Sequence, residues 1–354
     1  MSTHFVTKLP LRWGIIGCGA VTEVKSGPAY QLEPRFSLEM VMRRDGAKAA
    51  DYARRHQVPL HTDNADALLS HAELDAIYVA TPPDSHLQYA LAAAKAGKIC
   101  CVEKPMALNT AQCKVMVEAF AKANLPLFVA YYRRSLPRFL QVKQWLESQA
   151  IGTVRHVHWQ LSRPVHSRDL MPDGQNWRTD PKQAGGGYFV DLASHGIDLL
   201  QYLLGDITQV HGMCQRQAQL YAAEDAVTAI WQHQVQADGS VATGSGSWHF
   251  SADQRRDQVL IQGSHGSIEF SVFEEQALLL CQMDATGQRH QTELFIDNPA
   301  HIQQYHVANM AKALAEDNFV HPSTGHSALR TSAVMEAILT GVPLDSLFAE
   351  SSAP

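Results

Sequence analysis

Short apolar runs and longer stretches of helical periodicity alternate through the first third of the chain. The apolar runs predict buried strands, and they lie at 11–17, 37–42, 74–80, 99–102 and 127–130. Between them, the spacing of apolar residues predicts helices at 46–56, 65–69, 86–96 and 110–123. Because strand and helix alternate with short loops, we predict a parallel, doubly wound sheet with the Rossmann arrangement over residues 1–132.

The pattern changes after residue 132. Residues 153–161 alternate between apolar and polar side chains, as expected of a strand with one buried face. Further strands, several of them separated by turn signals, are predicted at 207–216, 226–235, 241–248, 259–263, 267–272 and 278–283. Helices are predicted at 136–150, 187–204, 301–316 and 328–339. Residues 133–354 are therefore predicted to form an α+β domain with a large open, mostly antiparallel sheet and one helix packed across it.

The predicted helix over residues 187–204 has an apolar side and a polar stripe. Asp191, His195, Asp198 and Tyr202 follow one another at helical spacing on this stripe. Three glycines precede the helix and allow its backbone a close approach to a neighbour. A solvent-facing stripe is one interpretation. Solvent-facing stripes are typically rich in Lys and Glu, however, whereas this one offers an Asp–His pair able to transfer a proton.

Composition narrows the functions and compartments that fit the chain. With a net charge of −6, the sequence offers no basic patch for nucleic acid and no lysine-rich run for anionic lipid. No apolar stretch suits an N-terminal signal peptide or a membrane span. The six cysteines lack disulfide-motif or zinc spacing and the 18 histidines are scattered. We therefore predict reduced thiols, a cytoplasmic location and no metal site.

A dinucleotide fingerprint follows the first predicted strand. Gly17 and Gly19 form a Gly-x-Gly turn, whose glycines let a pyrophosphate approach the start of the next helix. Thr22 stands where a third glycine is common, so a plain tight turn is the alternative interpretation. The position favours cofactor binding, since Thr81 and Lys104 also follow strands, at the sheet edge where such folds bind ligands.

The residues after the second strand bear on the choice of cofactor. An acidic residue at this strand end would bind the ribose 2′-hydroxyl of NAD(H). Arg43 and Arg44 stand there instead, and guanidinium groups suit the 2′-phosphate of NADP(H). Asp45 follows, and a shift of one position at the turn would bring its carboxylate to the ribose. We predict that NADP(H) is favoured and that NAD(H) is the alternative cofactor. The alternative interpretation of Arg43 and Arg44 is a pair of solvated surface arginines.

Five motifs occur in an order typical of one enzyme family. They are Gly14-Ile15-Ile16-Gly17-Cys18-Gly19, Thr81-Pro82-Pro83-Asp84-Ser85-His86, Glu103-Lys104-Pro105, Tyr131-Tyr132-Arg133-Arg134, and Gly185-Gly186-Gly187 followed by Asp191 and His195. In these motifs the chain resembles the glucose–fructose oxidoreductase / inositol dehydrogenase (Gfo/Idh/MocA) family over essentially its whole length. The resemblance implies an NAD(P)-dependent sugar or polyol oxidoreductase with a Rossmann domain and an open-sheet substrate domain. Tyr132 and Arg43 depart from the residues that the family often has, which bears on specificity.

The resemblance implies that Lys104, Asp191 and His195 are catalytic. Their chemistry agrees: His195 can accept a hydroxyl proton, Asp191 can orient the imidazole, and Lys104 can donate to the same substrate oxygen. The predicted cofactor-binding residues are Gly17, Cys18, Gly19, Ala20, Val21, Arg43, Arg44, Thr81, Pro82, Pro83, His86, Glu103 and Lys104. Aromatic and guanidinium side chains predicted to contact the sugar, or else to pack, are Tyr131, Tyr132, Arg134, Trp177 and Arg178.

Two other functions fit the same fold. One is a hydrolase that uses tightly held NAD for transient oxidation, and the other is a non-catalytic cofactor-binding regulator. The intact Lys104, Asp191 and His195 argue against the regulator.

The second face of the open sheet is expected to carry an exposed apolar patch, which together with the resemblance predicts a homodimer or homotetramer.

Overall fold

Two sheets organise the computed structural model of the chain, which describes residues 9–170 and 176–349. The strands are β1 (Leu11–Ile16), β2 (Phe36–Met42), β3 (Leu60–Thr62), β4 (Ala76–Val79), β5 (Ile99–Val102), β6 (Leu127–Val129), β7 (Val154–Ser162), β8 (Ile207–Gln215), β9 (Ala226–Val235), β10 (Val241–His249), β11 (Arg256–Gly263), β12 (Gly266–Phe270), β13 (Leu278–Met283) and β14 (Arg289–Leu294). The helices are α1 (Ala20–Val24), α2 (Gly27–Leu32), α3 (Gly46–His56), α4 (Ala65–Leu69), α5 (His86–Lys95), α6 (Thr110–Lys122), α7 (Pro137–Glu147), α8 (Pro181–Ala184), α9 (Ser194–Leu204), α10 (Gln304–Ala315), α11 (Gly325–Thr340) and α12 (Leu344–Phe348).

The first sheet has six parallel strands in the order β3-β2-β1-β4-β5-β6. Every residue of β4 and β5 is buried, because helices cover both faces of a parallel sheet. This order is that of the dinucleotide-binding doubly wound fold and confirms the predicted class. β3 was not predicted, since it has only three residues and its first, Leu60, is 42% exposed.

The chain divides into two compact units, and the division differs from the predicted boundary after residue 132. The first unit comprises the described residues up to Ala107, Ala111–Leu136 and Pro299–Leu329. The second comprises Leu108–Thr110, Pro137–Asn298 and the described residues from Arg330 onward. The difference arises from α10, whose apolar side chains join the core of the first unit around Trp13 and Tyr30. These side chains are Val307, Met310, Ala311 and Leu314.

The second sheet has eight strands in the order β14-β13-β12-β11-β7-β10-β9-β8. Its neighbours pair antiparallel, as predicted from the short turns, except that β7 and β10 are parallel. β14 was not predicted, because its sequence is polar and almost wholly exposed at the sheet edge.

The helix predicted over residues 187–204 crosses one face of the second sheet in two forms. It begins as a π-helix (Phe189–Ala193) and continues as α9. The Phe189 and Trp248 rings meet edge to face at 5.1 Å. Gly196 lies directly on Trp159, since a Cβ at this position would come within 2.2 Å of the indole. Only glycine therefore allows α9 to pack this closely on β7.

The opposite face of the second sheet is exposed. On β9, Val227, Ala229 and Trp231 are buried whereas the intervening Ile230 is 58% exposed, as in a strand with one buried face. Val235, the last residue of the strand, is 65% exposed. The prediction of an apolar patch on this face is wrong in one respect, because most of the exposed side chains on the face are polar. A groove of about 430 Å³ crosses this face, lined by His156, Gln209, His211, Ile230, Trp231, Gln232, Thr243, Gly244 and Ser245. No residue of β8, β9 or β10 is Asp, Glu, Lys or Arg.

Over the described ranges, no helix combines the length and the apolar character needed to cross a bilayer.

Candidate active site

The glycine turn after β1 is tied to two neighbouring strands. The backbone N–H groups of Gly17 and Cys18 both donate to the Met42 carbonyl at the end of β2, over 2.8 and 3.1 Å. Gly17 has a φ of +93°, and a Cβ here would lie 2.7 Å from Cγ2 of Thr81, which follows β4. The turn therefore requires glycine for its conformation and for its contact with the Thr81 loop.

Gly19 precedes α1 and leaves its surroundings open. A Cβ at Gly19 would meet no atom closer than 3.7 Å, so the backbone is accessible to a ligand. Thr22, in place of a third glycine, is buried and donates its hydroxyl to the Gly19 carbonyl over 2.9 Å. Its own carbonyl accepts from Tyr52 over 2.9 Å. Thr22 thus braces the turn from inside, and the incomplete fingerprint is compatible with the fold.

The remaining predicted residues of this turn differ in exposure. Ala20 is exposed and Val21 half-buried, both in the first turn of the five-residue helix α1. The Cys18 side chain is buried in the core, and burial raises its thiol pKa to about 11. Cys18 is therefore a neutral thiol at physiological pH and presents only its backbone at the turn.

The arginine pair follows β2 directly. Arg43 is half-buried and donates from Nη1 to the Cys18 carbonyl over 3.4 Å, while Arg44 is exposed. Asp45 caps α3: its carboxylate accepts from the Lys48 backbone N–H over 3.1 Å and pairs with the Lys48 ammonium at 2.8 Å. The Asp45 carboxylate, which could otherwise bind a ribose hydroxyl, is thus engaged by α3, whereas Arg43 contacts the glycine turn.

Buried His86 connects two loops at the carboxyl edge of the first sheet. Its Nε2 lies 2.7 Å from the Thr81 carbonyl and its Nδ1 3.0 Å from the Pro105 carbonyl. Burial lowers its pKa. Pro82 is half-buried, and Pro83 is buried at the start of a short 3₁₀ turn. His86 therefore joins the Thr81 loop to the Lys104 segment, and a direct contact with the cofactor stays a prediction.

Glu103 and Lys104 follow β5. The Glu103 carboxylate is buried and accepts from Tyr78 Oη at 2.6 Å, from Gln303 Nε2 at 2.7 Å and from the Lys104 backbone N–H at 3.1 Å. Lys104 is half-buried, and its peptide bond to Pro105 is cis. The sequence analysis missed Tyr78 and Gln303, since Gln303 lies 200 positions from Glu103 and no local pattern connects them.

Three predicted sugar-contacting residues follow β6. Tyr131, Tyr132 and Arg134 are 1%, 9% and 7% exposed, respectively. Arg134 donates from Nη1 to the Pro322 carbonyl over 3.0 Å. This bond holds the 3₁₀ turn after β6 to the late segment of the same unit, which is the packing role weighed for Arg134. Contacts with a sugar stay predictions for all three residues.

In the second unit, Asp191 lies in the π-helix and His195 in the first turn of α9. Arg178 donates from Nε to Asp191 Oδ2 over 3.1 Å, and the Asp191 side chain is 13% exposed. Arg178 also stacks on Trp177, with its guanidinium carbon 4.3 Å from the ring centroid. His195 is 5% exposed and meets Phe273 edge to face at 5.8 Å. The structure therefore brings Arg178 and Trp177 together and places Arg178 on the predicted carboxylate.

The interpretation of the polar stripe as a solvent-facing surface is wrong. Asp198 is fully buried and accepts from Thr331 Oγ1 over 3.0 Å, and the same hydroxyl accepts from Gln201 over 3.1 Å. Tyr202 is half-buried, with the Lys143 ammonium 5.0 Å from its ring centroid. The polar stripe continues into the interior because Thr331 of α11 supplies a hydrogen-bond donor for Asp198 there.

Asp169 anchors the loop that carries Trp177 and Arg178, and the sequence analysis missed it. Its buried carboxylate accepts from Tyr188 Oη at 2.5 Å, Arg163 Nη2 at 3.0 Å and the His166 backbone N–H at 2.8 Å. Asn176 donates to it over 3.3 Å. Because Tyr188 immediately precedes the π-helix, this carboxylate connects the loop to the Asp191 helix.

All six cysteines are free thiols. Across the described ranges, no group of three or more His, Cys, Asp and Glu side chains is arranged to hold a metal ion.

Two family models match the chain. One, described as an oxidoreductase family with an NAD-binding Rossmann fold, matches residues 11–131. The other, described as the GFO/IDH/MocA C-terminal domain, matches residues 139–269.

The chain is also similar to individual known proteins and to solved structures. Oxidoreductase P35 of Formosa agariphila is 38% identical over 83% of this chain and 88% of that protein. The D-xylose 1-dehydrogenase (NADP(+)) of Haloarcula marismortui is 29% identical over 56% of this chain, and the match spans only 55% of that relative. A solved structure of levoglucosan dehydrogenase in complex with NADH has a TM-score of 0.82 at 23% identity, covering 93% of this chain and 96% of that chain. At that identity the likeness shows the fold alone.

Proposed function

We propose that this chain, which belongs to the Gfo/Idh/MocA family of oxidoreductases, is an NAD(P)-dependent dehydrogenase acting on a sugar, polyol or related diol. The observation that carries the proposal lies in the first unit. Gly17, Thr81 and Lys104 follow the adjacent strands β1, β4 and β5 at one edge of a single parallel sheet. That edge is where doubly wound sheets bind dinucleotides.

The residues at this edge fit a dinucleotide. Gly17 holds the turn in a conformation open only to glycine, and Gly19 leaves an accessible backbone beside it. Gly17, Gly19 and the first turn of α1 would hold the pyrophosphate, and Arg43 the adenosine end. A bound nicotinamide supplies the acceptor or donor of a hydride.

The protein's own residues would move the proton. We assign His195 as the base that takes the hydroxyl proton from the carbinol, and Asp191 as the carboxylate that orients and stabilises the imidazolium. Lys104 would donate a hydrogen bond to the reacting oxygen and favour the alkoxide that develops there. In the reverse direction His195 returns the proton to the carbonyl oxygen.

We further propose that NADP(H) binds more tightly than NAD(H). Support comes from the engagement of Asp45 in the α3 cap, which leaves Arg43 and Arg44 as the charged groups that end β2. The Haloarcula relative is named for NADP(+), and the levoglucosan dehydrogenase structure contains NADH. Because these two proteins point to different cofactors, we base the proposed preference on the residues after β2 of this chain.

The names of the relatives support a sugar as substrate. One relative is a D-xylose dehydrogenase and another a levoglucosan dehydrogenase. In this chain the Trp177–Arg178 stack next to Asp191 offers a flat aromatic and guanidinium surface suited to a polyhydroxylated ring. We propose that Trp177, Arg178, Tyr131, Tyr132 and Arg134 contribute to the sugar site.

The oligomer and compartment are also proposals. The exposed face of β8, β9 and β10 has no ionised Asp, Glu, Lys or Arg to repel a second copy, and Met213 and Ile230 are among its exposed apolar side chains. We propose that this face pairs with another copy in a homodimer or homotetramer. Six free thiols suit the reducing cytoplasm.

A substrate screen tests the function. Purified protein is incubated with aldoses, inositols, keto-sugars and dihydrodiols, each with NADP(H) and NAD(H), while the absorbance of reduced nicotinamide is followed. We expect cofactor turnover with one class of polyhydroxylated substrate. Release of a cleaved glycoside without net cofactor turnover would identify the hydrolase instead. Cofactor binding without any turnover would favour the regulator and contradict the proposal.

A further inference from the structure

The backbone of Lys104 is held on both sides by buried side chains. Its own N–H donates to Glu103 Oε2 over 3.1 Å. The carbonyl of the next residue, Pro105, lies 3.0 Å from Nδ1 of the fully buried His86. Because the lysine side chain starts from this segment, the position of its ammonium depends on these two anchors.

The Glu103 carboxylate is itself oriented by two buried donors. Tyr78 Oη and Gln303 Nε2 both donate to Oε1, over 2.6 and 2.7 Å. Tyr78 is fully buried in β4, and Gln303 is 1% exposed at the start of α10. With both donors on Oε1, the other oxygen is directed to the Lys104 N–H. Hydrogen bonds to a carboxylate are among the stronger ones in proteins.

We propose that Tyr78 and Gln303 are positioning residues that act on Lys104 through Glu103. The inference rests on the proposed function for the role of Lys104, and it extends that site to a residue supplied by the segment that returns to the first unit near the end of the chain. Without these donors the buried carboxylate would turn away from the Lys104 N–H to find other partners. The Lys104 side chain would then lose its fixed direction.

Amide hydrogen exchange tests the anchor without cofactor or substrate. Selective ¹⁵N-lysine labelling reports the exchange rate of the Lys104 N–H by NMR. Loss of one charged hydrogen bond should speed this exchange by about tenfold in Gln303→Met and in Tyr78→Phe. The matched control is Gln304→Met, which changes the neighbouring, half-buried glutamine.

The Lys98 amide, whose N–H bonds to the Ala93 carbonyl in the same unit, serves as an internal reference. If Lys104 exchange is unchanged in Gln303→Met, or if Lys98 exchange rises equally, the proposal is overturned. Should Tyr78→Phe fail to fold, Gln303→Met still decides the question.

A double-mutant cycle tests the consequence for turnover. With the substrate found in the screen, Gln303→Met should lower kcat about tenfold while changing the KM for cofactor little. In a Lys104→Ala background the same substitution should have no further effect, because it acts through the lysine. Equal losses in both backgrounds would show a general structural role and contradict the proposal. If no sugar is turned over, the proposed function fails, and the exchange experiment alone then decides the role of Gln303.

Discussion

Arg178 and Asp191 form an ion pair, with the guanidinium Nε 3.1 Å from the carboxylate Oδ2. The pair joins the loop after β7 to the π-helix that carries the proposed orienting carboxylate. The Arg178 side chain is 39% exposed, so solvent screens the ion pair. The main effect of the pair is therefore to fix the direction of the Asp191 carboxylate rather than to stabilise the fold. A carboxylate held in this way presents a defined geometry to its other partners.

We therefore predict that Arg178→Met lowers kcat by up to about tenfold and leaves the unfolding free energy nearly unchanged. Arg168→Met, at an exposed position of the same loop, is the matched control and should behave as the unmodified protein. Steady-state kinetics and urea unfolding measure the two quantities. Equal turnover in the two variants would show that Arg178 does not act on the site.

Lys104→Ala and His195→Ala are each expected to lose about 10²–10⁴-fold in turnover, the usual contribution of a positioned acid–base group. Both variants should still bind cofactor, because the glycine turn that would hold the pyrophosphate is unchanged in each. Fluorescence titration and steady-state kinetics separate binding from turnover. Turnover like that of the unmodified protein in either variant would remove that residue from the proposed site.

The cofactor preference is expected to depend on Arg43 and Arg44. NADP(H) should bind about tenfold or more tightly than NAD(H), since a guanidinium–phosphate bond contributes about 1.5–3 kcal/mol. Replacing both arginines by alanine should abolish the difference. Replacing Asp45 by asparagine, which retains an oxygen to cap α3, should leave it unchanged. Tighter binding of NAD(H) by the unmodified protein would mean that Asp45 reads the ribose.

His233 is expected to make the second unit sensitive to acid. Its Nε2 accepts from the Trp231 indole N–H at 3.0 Å, and its Nδ1 lies 2.7 Å from the Gly205 carbonyl, so the neutral ring fits both partners. Burial lowers its pKa to about 4. Between pH about 6.5 and 4 the unfolded state binds the proton and the folded state does not, so stability falls as the pH is lowered.

His233→Gln can keep one donor and one acceptor without titrating in this range. The loss of unfolding free energy between pH 7.5 and 5.0 should therefore be about 2 kcal/mol smaller in this variant than in the unmodified protein. Urea unfolding at the two pH values measures it. An identical loss in both proteins would show that other groups, such as the buried His306 and His321, account for the acid sensitivity.

The proposed oligomer has a direct test in Ile230. Ile230→Arg places a charge on the exposed face of β9, where two copies would bring like charges together and dissociate the assembly. Val320→Arg, on the first unit, alters another highly exposed apolar residue and should leave the assembly intact. Light scattering at micromolar concentration gives the masses. A monomeric unmodified protein would contradict the proposed assembly.

The sequence predicted elements well where periodicity was strong and local. Helix α3 and strands β5, β9 and β13 have the predicted bounds. The parallel pairing of β7 with β10 could not be predicted, because it joins strands about 80 residues apart and local turns give no sign of it. The same limit applied to Gln303, whose partner Glu103 lies far away in sequence.

The site was predictable in its motifs and less so in its supports. Gly17 and Lys104 were found because each follows a strand in a recognisable motif. Asp169 was not, since a single aspartate in an irregular loop resembles any turn residue until its four donors are seen. The π-helix at Asp191 was also missed, because its sequence satisfies ordinary helical periodicity.

The position of α10 in the first unit sets an order for the assembly of the chain during synthesis. The core around Trp13 and Tyr30 is completed by Met310 and Leu314, which leave the ribosome after the whole of the second sheet. The unit that begins the chain therefore cannot be completed before the second sheet has been synthesised. Until then its apolar surface stays open, and a truncated product ending near residue 136 would be a natural target for chaperones and proteases.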